Sequence, residues 1–308
     1  MTDLRLALQD YLRLRESLGY KVVQPGRSLR QFVAYLEKIG LDHVTTEATV
    51  AWATQPQGVR SGEWARRFGL ARGFAGYLRT IDPATEVPPA GFVAGKNRRA
   101  TPYLYSDCEV AALMAVARRL PSPMRAATYE CLIGLLAVSG LRVSEAIALD
   151  RDDVDLTSGI LTIRAAKFGK TRQVPVHPST MDALATYARR RDQLVLRCPS
   201  PAFFVSTTGT RLFYSSFHLV FSQLVREAGI GPRSASCRPR PHDLRHSFAV
   251  HTLLGWYRDG LDVAARLPLL STYLGHVHPG ATYWYLSGAP ELFALVAKRL
   301  EAILGELP

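Results

Sequence analysis

Apolar residues recur at helical spacing through the first quarter of the chain. Leu29, Phe32, Val33 and Leu36 fall on one face when 3.6 residues make a turn. Comparable stripes predict four helices, over residues 4–18, 28–39, 46–53 and 63–78, and no strand stands out among them. Beyond residue 100 the pattern changes. Ser106-Asp107-Cys108-Glu109 has the form of a capping box ahead of a helix over 110–120. The apolar run 132–138 stops at Ser139-Gly140, where glycine suits a C-terminal cap, and a short helix over 143–149 follows. Ile160-Leu161-Thr162-Ile163-Arg164 and Arg172-Gln173-Val174-Pro175-Val176 are rich in β-branched residues and predict two short strands joined by a turn over 165–171. A last amphipathic helix is expected over 290–304, with Leu292, Leu295, Val296, Leu300 and Ile303 on one stripe.

Between the helical quarter and the mixed remainder, residues 82–102 contain Pro83, Pro88, Pro89, Gly91 and Gly95, then Lys96-Asn97-Arg98-Arg99. Such punctuation followed by a charge run predicts a basic linker. The expected organisation is a helical domain over 1–84, a linker over 85–102 and a second domain over 103–308 that is mainly α with a small antiparallel β-sheet.

Charge narrows the partners. The 308 residues carry a formal net charge of +12, which predicts salt-dependent attraction to polyanions. An RNA-binding protein would share that property, so charge alone decides nothing about chemistry. Cys108, Cys131, Cys198 and Cys237 are widely spaced and form no CxxC pair, so they read as reduced thiols of a cytoplasmic protein. The first residues lack an apolar signal core, and no uninterrupted apolar run approaches about 18 residues, so neither export nor a membrane partner is indicated.

The chemistry-bearing residues lie beyond residue 139. Arg142 follows Ser139-Gly140-Leu141, His242 and Arg245 stand in His242-Asp243-Leu244-Arg245, and His276 closes Leu274-Gly275-His276 ahead of Thr282-Tyr283-Trp284-Tyr285. Breaking a phosphodiester without a metal needs fixed cations for the non-bridging oxygens, and forked guanidinium groups supply them. His242 and Arg245 are three apart on a predicted helix that starts at Pro241, so both can reach one phosphate. A tyrosine hydroxyl becomes a nucleophile beside a base and a positive field, and a lysine in the 165–171 turn can protonate the leaving oxygen. Blander readings exist for each: Arg142 as a carbonyl cap at a helix corner, His276 as a packed ring, Lys167 and Lys170 as solvated turn residues, Tyr283 and Tyr285 as aromatic packing. His242 and His246 also have zinc-ligand spacing, and Asp150, Asp152, Asp153 and Asp155 could suggest a metal nuclease, although aspartates between a helix and a strand commonly cap turns.

Taken in order, arginine, hairpin lysine, histidine, arginine, histidine and tyrosine resemble the tyrosine recombinase (phage integrase) family. The resemblance is specific over 103–287 and diffuse in the helical quarter. It implies Arg142, Lys167, His242, Arg245, His276 and Tyr285 as the catalytic set, with Lys167 favoured over Lys170 by Lys167-Phe168-Gly169-Lys170, and Tyr285 over Tyr283 by its spacing from His276 and by Thr282. Ala166 stands where the family usually has glycine, and the segment from Gly255 to Gly260 makes the stretch between Arg245 and His276 longer than in compact members, which points to a branch carried by a mobile element. The implied reaction is DNA cleavage and rejoining through a 3′-phosphotyrosyl link, with no metal or cofactor. The implied architecture is a two-domain clamp on double-stranded DNA, assembling as a homotetramer on two sites, alone or with other recombinase subunits, in the nucleoid. Glu145 is expected to brace Arg142 and Tyr283 to pack, and Arg66, Arg67, Arg72 and Arg79 decorate a helix that is either simply solvated on that face or in contact with DNA. A type IB topoisomerase and a catalytically silent accessory protein are the alternatives.

Overall fold

The capping and apolar signals of the sequence settle most helix ends. The computed structural model describes residues 3–59, 61–95, 101–164, 171–195, 200–278 and 280–287. It divides into two compact units, Met1–Arg99 and Ala100–Pro308.

The first unit is four helices: α1 (Leu4–Ser17), α2 (Val23–Lys38), α3 (Thr46–Thr54) and α4 (Ser61–Leu78). The Asp3 carboxylate accepts from the Arg5 and Leu6 amides at the start of α1, and the Thr45 hydroxyl accepts from the Ala48 amide at the start of α3. α2 begins five residues earlier than its apolar stripe predicts, because Pro25 sits in the first turn, where it costs no hydrogen bond. Leu29, Phe32, Leu36, Trp52, Phe74 and Leu78 fill the core. After α4 the chain stays against this unit: Glu86 donates its amide to Val44, Arg72 donates to the Pro88 carbonyl at 2.8 Å, and Phe92 stacks on Phe68. The basic run Lys96 to Arg99 lies outside the described residues. The four arginines read as solvated or in contact with DNA already have partners within the unit. Arg66 pairs with Glu63, while Arg67, Arg72 and Arg79 donate to the carbonyls of Trp52, Pro88 and Thr85.

The second unit is mainly helical around a small antiparallel sheet. In order come α5 (Asp107–Arg118), α6 (Pro123–Ser139), α7 (Val143–Ala148), β1 (Val154–Asp155), β2 (Ile160–Ile163), β3 (Arg172–Pro175), α8 (Pro178–Leu194), α9 (Tyr214–Glu227), α10 (Asp243–Arg258), α11 (Val263–Leu274) and α12 (Gly280–Ser287). The capping box at Ser106 forms, with both reciprocal hydrogen bonds to Glu109. β2 lies between β1 and β3, and its pairing puts Ile163 opposite Arg172, so residues 164–171 join the two strands of a hairpin. Lys167 and Lys170 fall in the part of that turn outside the described residues, as does the expected helix over 290–304.

Three of the four crowded aspartates serve structure. Asp150 pairs with Arg211, Asp153 pairs with Arg164, and Asp155 caps the turn by accepting from the Thr157 and Ser158 amides. The long stretch after Arg245 is the rest of α10 and the whole of α11, whose Val250, Leu253, Leu267 and Leu270 form a core of their own with Tyr285. Among the described residues no helix is long and apolar enough to cross a membrane.

α6 supplies the spine of this unit, with Leu132, Ile133, Leu135 and Leu136 buried. It ends at Gly140, whose φ of +59° places it in the left-handed region. A Cβ there would stand 2.4 Å from the Phe248 ring on α10. Both penalties act together, so Gly140→Ala is expected to lower the unfolding free energy by about 2–4 kcal/mol, measured by urea denaturation followed through the second unit.

Candidate active site

The sharp turn at Gly140 aims the next residues. Arg142 occupies the N-cap of α7, and its own amide donates to Glu145 Oε2 at 3.0 Å. Its guanidinium donates to Glu145 Oε1 at 2.6 Å and to the Gly275 carbonyl at 3.3 Å. Glu145 therefore braces Arg142, as expected.

A second arginine holds the same carboxylate. Arg172, the first residue of β3, donates from both terminal nitrogens to Glu145, at 3.1 and 2.9 Å, and from Nε to the Tyr273 carbonyl at 3.1 Å. Burial alone would raise the Glu145 carboxyl, but the hydrogen bonds and charges of Arg172 and Arg142 win and hold it down at about 2. Sequence reasoning read Arg172 only as the start of a strand. The available signal was the period of two: Arg172 shares a sheet face with Val174, which is wholly buried, so a cation on that face needs a buried partner.

α10 delivers the next pair. Arg240 and Asp243 form a bidentate ion pair, both contacts 2.9 Å, across the first turn. Arg245, one turn on, is 2% exposed and spends its donors on the Gly140 carbonyl at 2.8 Å, the Leu274 carbonyl at 2.7 Å and His276 Nε2 at 2.9 Å. Burial lowers its pKa to about 10, with Arg142 adding to the depression while the Tyr285 hydroxyl and Glu145 oppose it. It stays charged at neutral pH.

The third strand of the site comes from the end of α11. Gly275 has a φ of +68°, and a Cβ on it would fall 2.7 Å from the Arg172 guanidinium. Glycine is thus required twice over, for the turn and for the close approach. The turn presents His276, whose Nδ1 lies 2.7 Å from the Thr282 hydroxyl. Three residues after Thr282, Tyr285 is 4% exposed, its ring 5.8 Å from that of His276 and 5.3 Å from that of His246. Tyr283, expected to pack, is 55% exposed instead. Two residues along a helix turn a side chain by about 200°, so burial of Tyr285 turns Tyr283 to solvent. His246 stands edge-on to His242, with ring centroids 4.8 Å apart, so the two are neighbours one turn apart. Among the described residues no group of three or more His, Cys, Asp or Glu side chains could hold a metal ion.

Five of the six sequence-predicted residues, Arg142, His242, Arg245, His276 and Tyr285, meet around the Gly140 and Gly275 turns; the sixth, Lys167, lies outside the described residues. His242 and His276 are both pushed down to about 4, by desolvation first and then by Arg245 and Arg142. His242 is exposed to solvent, so water and salt weaken both the desolvation and the pull of the guanidinium charges on that ring. Both rings are neutral at pH 7, one able to accept a proton and the other already accepting a hydrogen bond.

The model of the phage integrase family matches residues 104–291. A Sinorhizobium fredii protein named as an integrase/recombinase is 43% identical over 307 residues, covering 98% of this chain and 98% of its own. The chain belongs to the phage integrase family. The tyrosine recombinase XerC of Azotobacter vinelandii is 31% identical over 293 residues, spanning 91% of this recombinase and 89% of XerC. Among solved structures, the XerH recombinase in its post-cleavage complex with difH substrate shares the fold with a TM-score of 0.65 at 19% identity, over 97% of this chain and 83% of that one. The Tn1549 transposon integrase, solved with transposon right-end DNA, gives 0.65 at 14% identity over 97% and 99% of the two chains. Two-domain, mainly helical architecture with a small antiparallel sheet is the fold of these neighbours, and the activity of the family is site-specific cleavage and rejoining of DNA strands.

Two consequences follow from the electrostatics. The folded-state pKa of Glu145 lies below its ordinary value, so the ion pairs stabilise the protein above about pH 4.5 and are lost as pH falls towards 2. Glu145→Gln should therefore cost about 2–3 kcal/mol at pH 7, and its deficit against wild type should shrink through that window in urea titrations at successive pH values. In the DNA-free protein, proton NMR should find the His242 and His276 rings titrating well below pH 6.5, near 4.

Proposed function

We propose that Tyr285 is the nucleophile of the recombinase and that Arg142, Lys167, His242, Arg245 and His276 act with it on one scissile phosphate of double-stranded DNA. The observation that carries this reading is the burial of Tyr285 against the same turn at which Arg142 and Arg245 converge, Arg142 donating to the Gly275 carbonyl and Arg245 to that of the adjacent Leu274.

The Tyr285 oxygen attacks phosphorus, and its proton passes to His242, a neutral imidazole held among guanidinium groups. Negative charge grows on the non-bridging oxygens, where Arg142 and Arg245 receive it and His276 donates a hydrogen bond. Arg142 is set for this because one terminal nitrogen bonds Glu145 and the other the Gly275 carbonyl, and each keeps a second N–H for the phosphate. The bond from phosphorus to the 5′ oxygen breaks, and Lys167 gives that oxygen its proton. The product is a 3′-phosphotyrosyl ester and a 5′ hydroxyl. Attack by that hydroxyl, or by one from a partner duplex, reverses the step and needs no external energy, because the ester keeps the energy of the original bond.

A net charge of +12 supports a DNA duplex as the partner. We place the helical unit, with the basic run at 96–99, on the same duplex as a clamp, and exchange on a homotetramer bridging two sites in the nucleoid. The relatedness to a transposon integrase fold supports a mobile element as the source of those sites.

Nicked suicide duplexes carrying the source element's ends, incubated in EDTA and run on denaturing gels, test the assignment. Wild type and Tyr283→Phe should form a covalent adduct, and Tyr285→Phe none. Arg245→Lys should slow adduct formation by roughly 100-fold or more, because an ammonium cannot reproduce the fork. An adduct in Tyr285→Phe would place the nucleophile elsewhere.

A further inference from the structure

Arg245 has only N–H donors, so its 2.9 Å contact with His276 requires Nε2 to be the unprotonated, accepting nitrogen. A neutral imidazole in that state carries its proton on Nδ1. Nδ1 lies 2.7 Å from the Thr282 hydroxyl, which accepts that proton's hydrogen bond. Thr282 is wholly buried in the first turn of α12, three residues before Tyr285. In this arrangement His276 cannot donate from Nε2 to anything. Donation to a phosphate oxygen, the role assigned to His276 above, needs the other tautomer.

We propose that Thr282 is a positioning residue that lets His276 change roles, first holding Arg245 and then donating to the substrate phosphate. This inference rests on the reading of His276 under Proposed function. Before DNA binds, the Thr282 oxygen accepts from Nδ1–H, and Nε2 accepts from Arg245. Arrival of the phosphate gives Arg245 a charged acceptor in place of the ring nitrogen. Nε2 then takes a proton from water, giving a transient imidazolium, Nδ1 returns its proton to the hydroxide left behind, and the ring is neutral before and after. The Thr282 hydroxyl rotates and donates to the bare Nδ1, while Nε2–H points at the non-bridging oxygen.

A hydroxyl suits this position because it combines one donor with two acceptor lone pairs, so it satisfies Nδ1 in both tautomers. An amide or carboxylate would demand one arrangement, and an aliphatic group neither. The β-branch of threonine also restricts χ1, which keeps the oxygen aimed at the ring while the hydrogen turns. The stacking of the Tyr285 ring on His276 means that Thr282 fixes the ring against which the nucleophile is packed.

Thr282→Val keeps the shape and removes the hydroxyl, and Thr282→Ser keeps the hydroxyl. Long-range proton–nitrogen NMR on the DNA-free protein should show His276 as the Nδ1–H tautomer in wild type and Thr282→Ser, and a mixture in Thr282→Val. Single-turnover cleavage of the nicked duplex should fall roughly tenfold or more in Thr282→Val, about the worth of one hydrogen bond, and return to within about threefold of wild type in Thr282→Ser. DNA affinity should be unchanged in both. If Thr282→Val does not fold, Thr282→Ala takes its place with the same expectations. An Nε2–H tautomer in free wild type, cleavage by Thr282→Val at the wild-type rate, or equal damage in Thr282→Val and Thr282→Ser would each overturn the proposal. Failure of the underlying reading looks different: an adduct retained by Tyr285→Phe removes the catalytic role of the switch, while the tautomer measurement still judges the contact between Thr282 and His276.

Discussion

Three guanidinium groups gathered in a small, poorly hydrated volume repel one another, and the second unit is built around containing that repulsion. Unit charges 4 Å apart at an effective dielectric of about 20 interact by about 4 kcal/mol, so such a cluster cannot persist without compensation. One carboxylate supplies most of it. Glu145 is held by Arg142 and Arg172 at once, and Arg245, which has no carboxylate, is satisfied by the Gly140 and Leu274 carbonyls. Those carbonyls are free because each belongs to a helix end that turns left-handed at glycine. The two glycines therefore determine the chemistry as much as the arginines do.

The compensation is incomplete by two negative charges, and a phosphodiester supplies one of them at rest and builds more as its bond breaks. Arg142 and Arg245 have their positions assigned before DNA arrives, so the enzyme pays little reorganisation when charge develops on the phosphate. Desolvation first, and then the same positive field, depress His242 and His276 to about 4, which keeps His242 in the form that accepts a proton. Tyr285 is brought into this field by a short helix whose other face points outward. Burial of one tyrosine and exposure of its neighbour are two results of a single helical phase.

Much of this was legible in the chain. The helices and the hairpin could be placed because capping residues, glycine stops and β-branched runs act locally; the Arg142, His242, Arg245 and His276 motifs lie at turns or first helical turns, and Tyr285 was recognisable by its spacing from His276 and Thr282. Arg172 was not found, since its partner Glu145 is 27 residues away and the one local signal, its sheet face shared with Val174, says that it points inward but not what it meets. The partners of Arg72 and Arg79 were hidden for a related reason: a guanidinium on a polar face looks solvated until the loop that supplies its carbonyls, here Pro88 and Thr85, has folded back. α2 was cut short because apolar periodicity does not register Pro25 and its polar neighbours as a first turn.

The central claim is that the turns at Gly140 and Gly275 hold a cluster of cations in readiness for one phosphate. It is tested most directly by the crystal structure of Tyr285→Phe bound to an uncleaved duplex. The account predicts both Arg142 and Arg245 within about 3 Å of the non-bridging oxygens of the scissile phosphate, with Glu145 still bridging Arg142 and Arg172 and the Gly140 and Leu274 carbonyls still on Arg245. A scissile phosphate seated away from Arg245, or a cluster that assembles differently once DNA is bound, would contradict it.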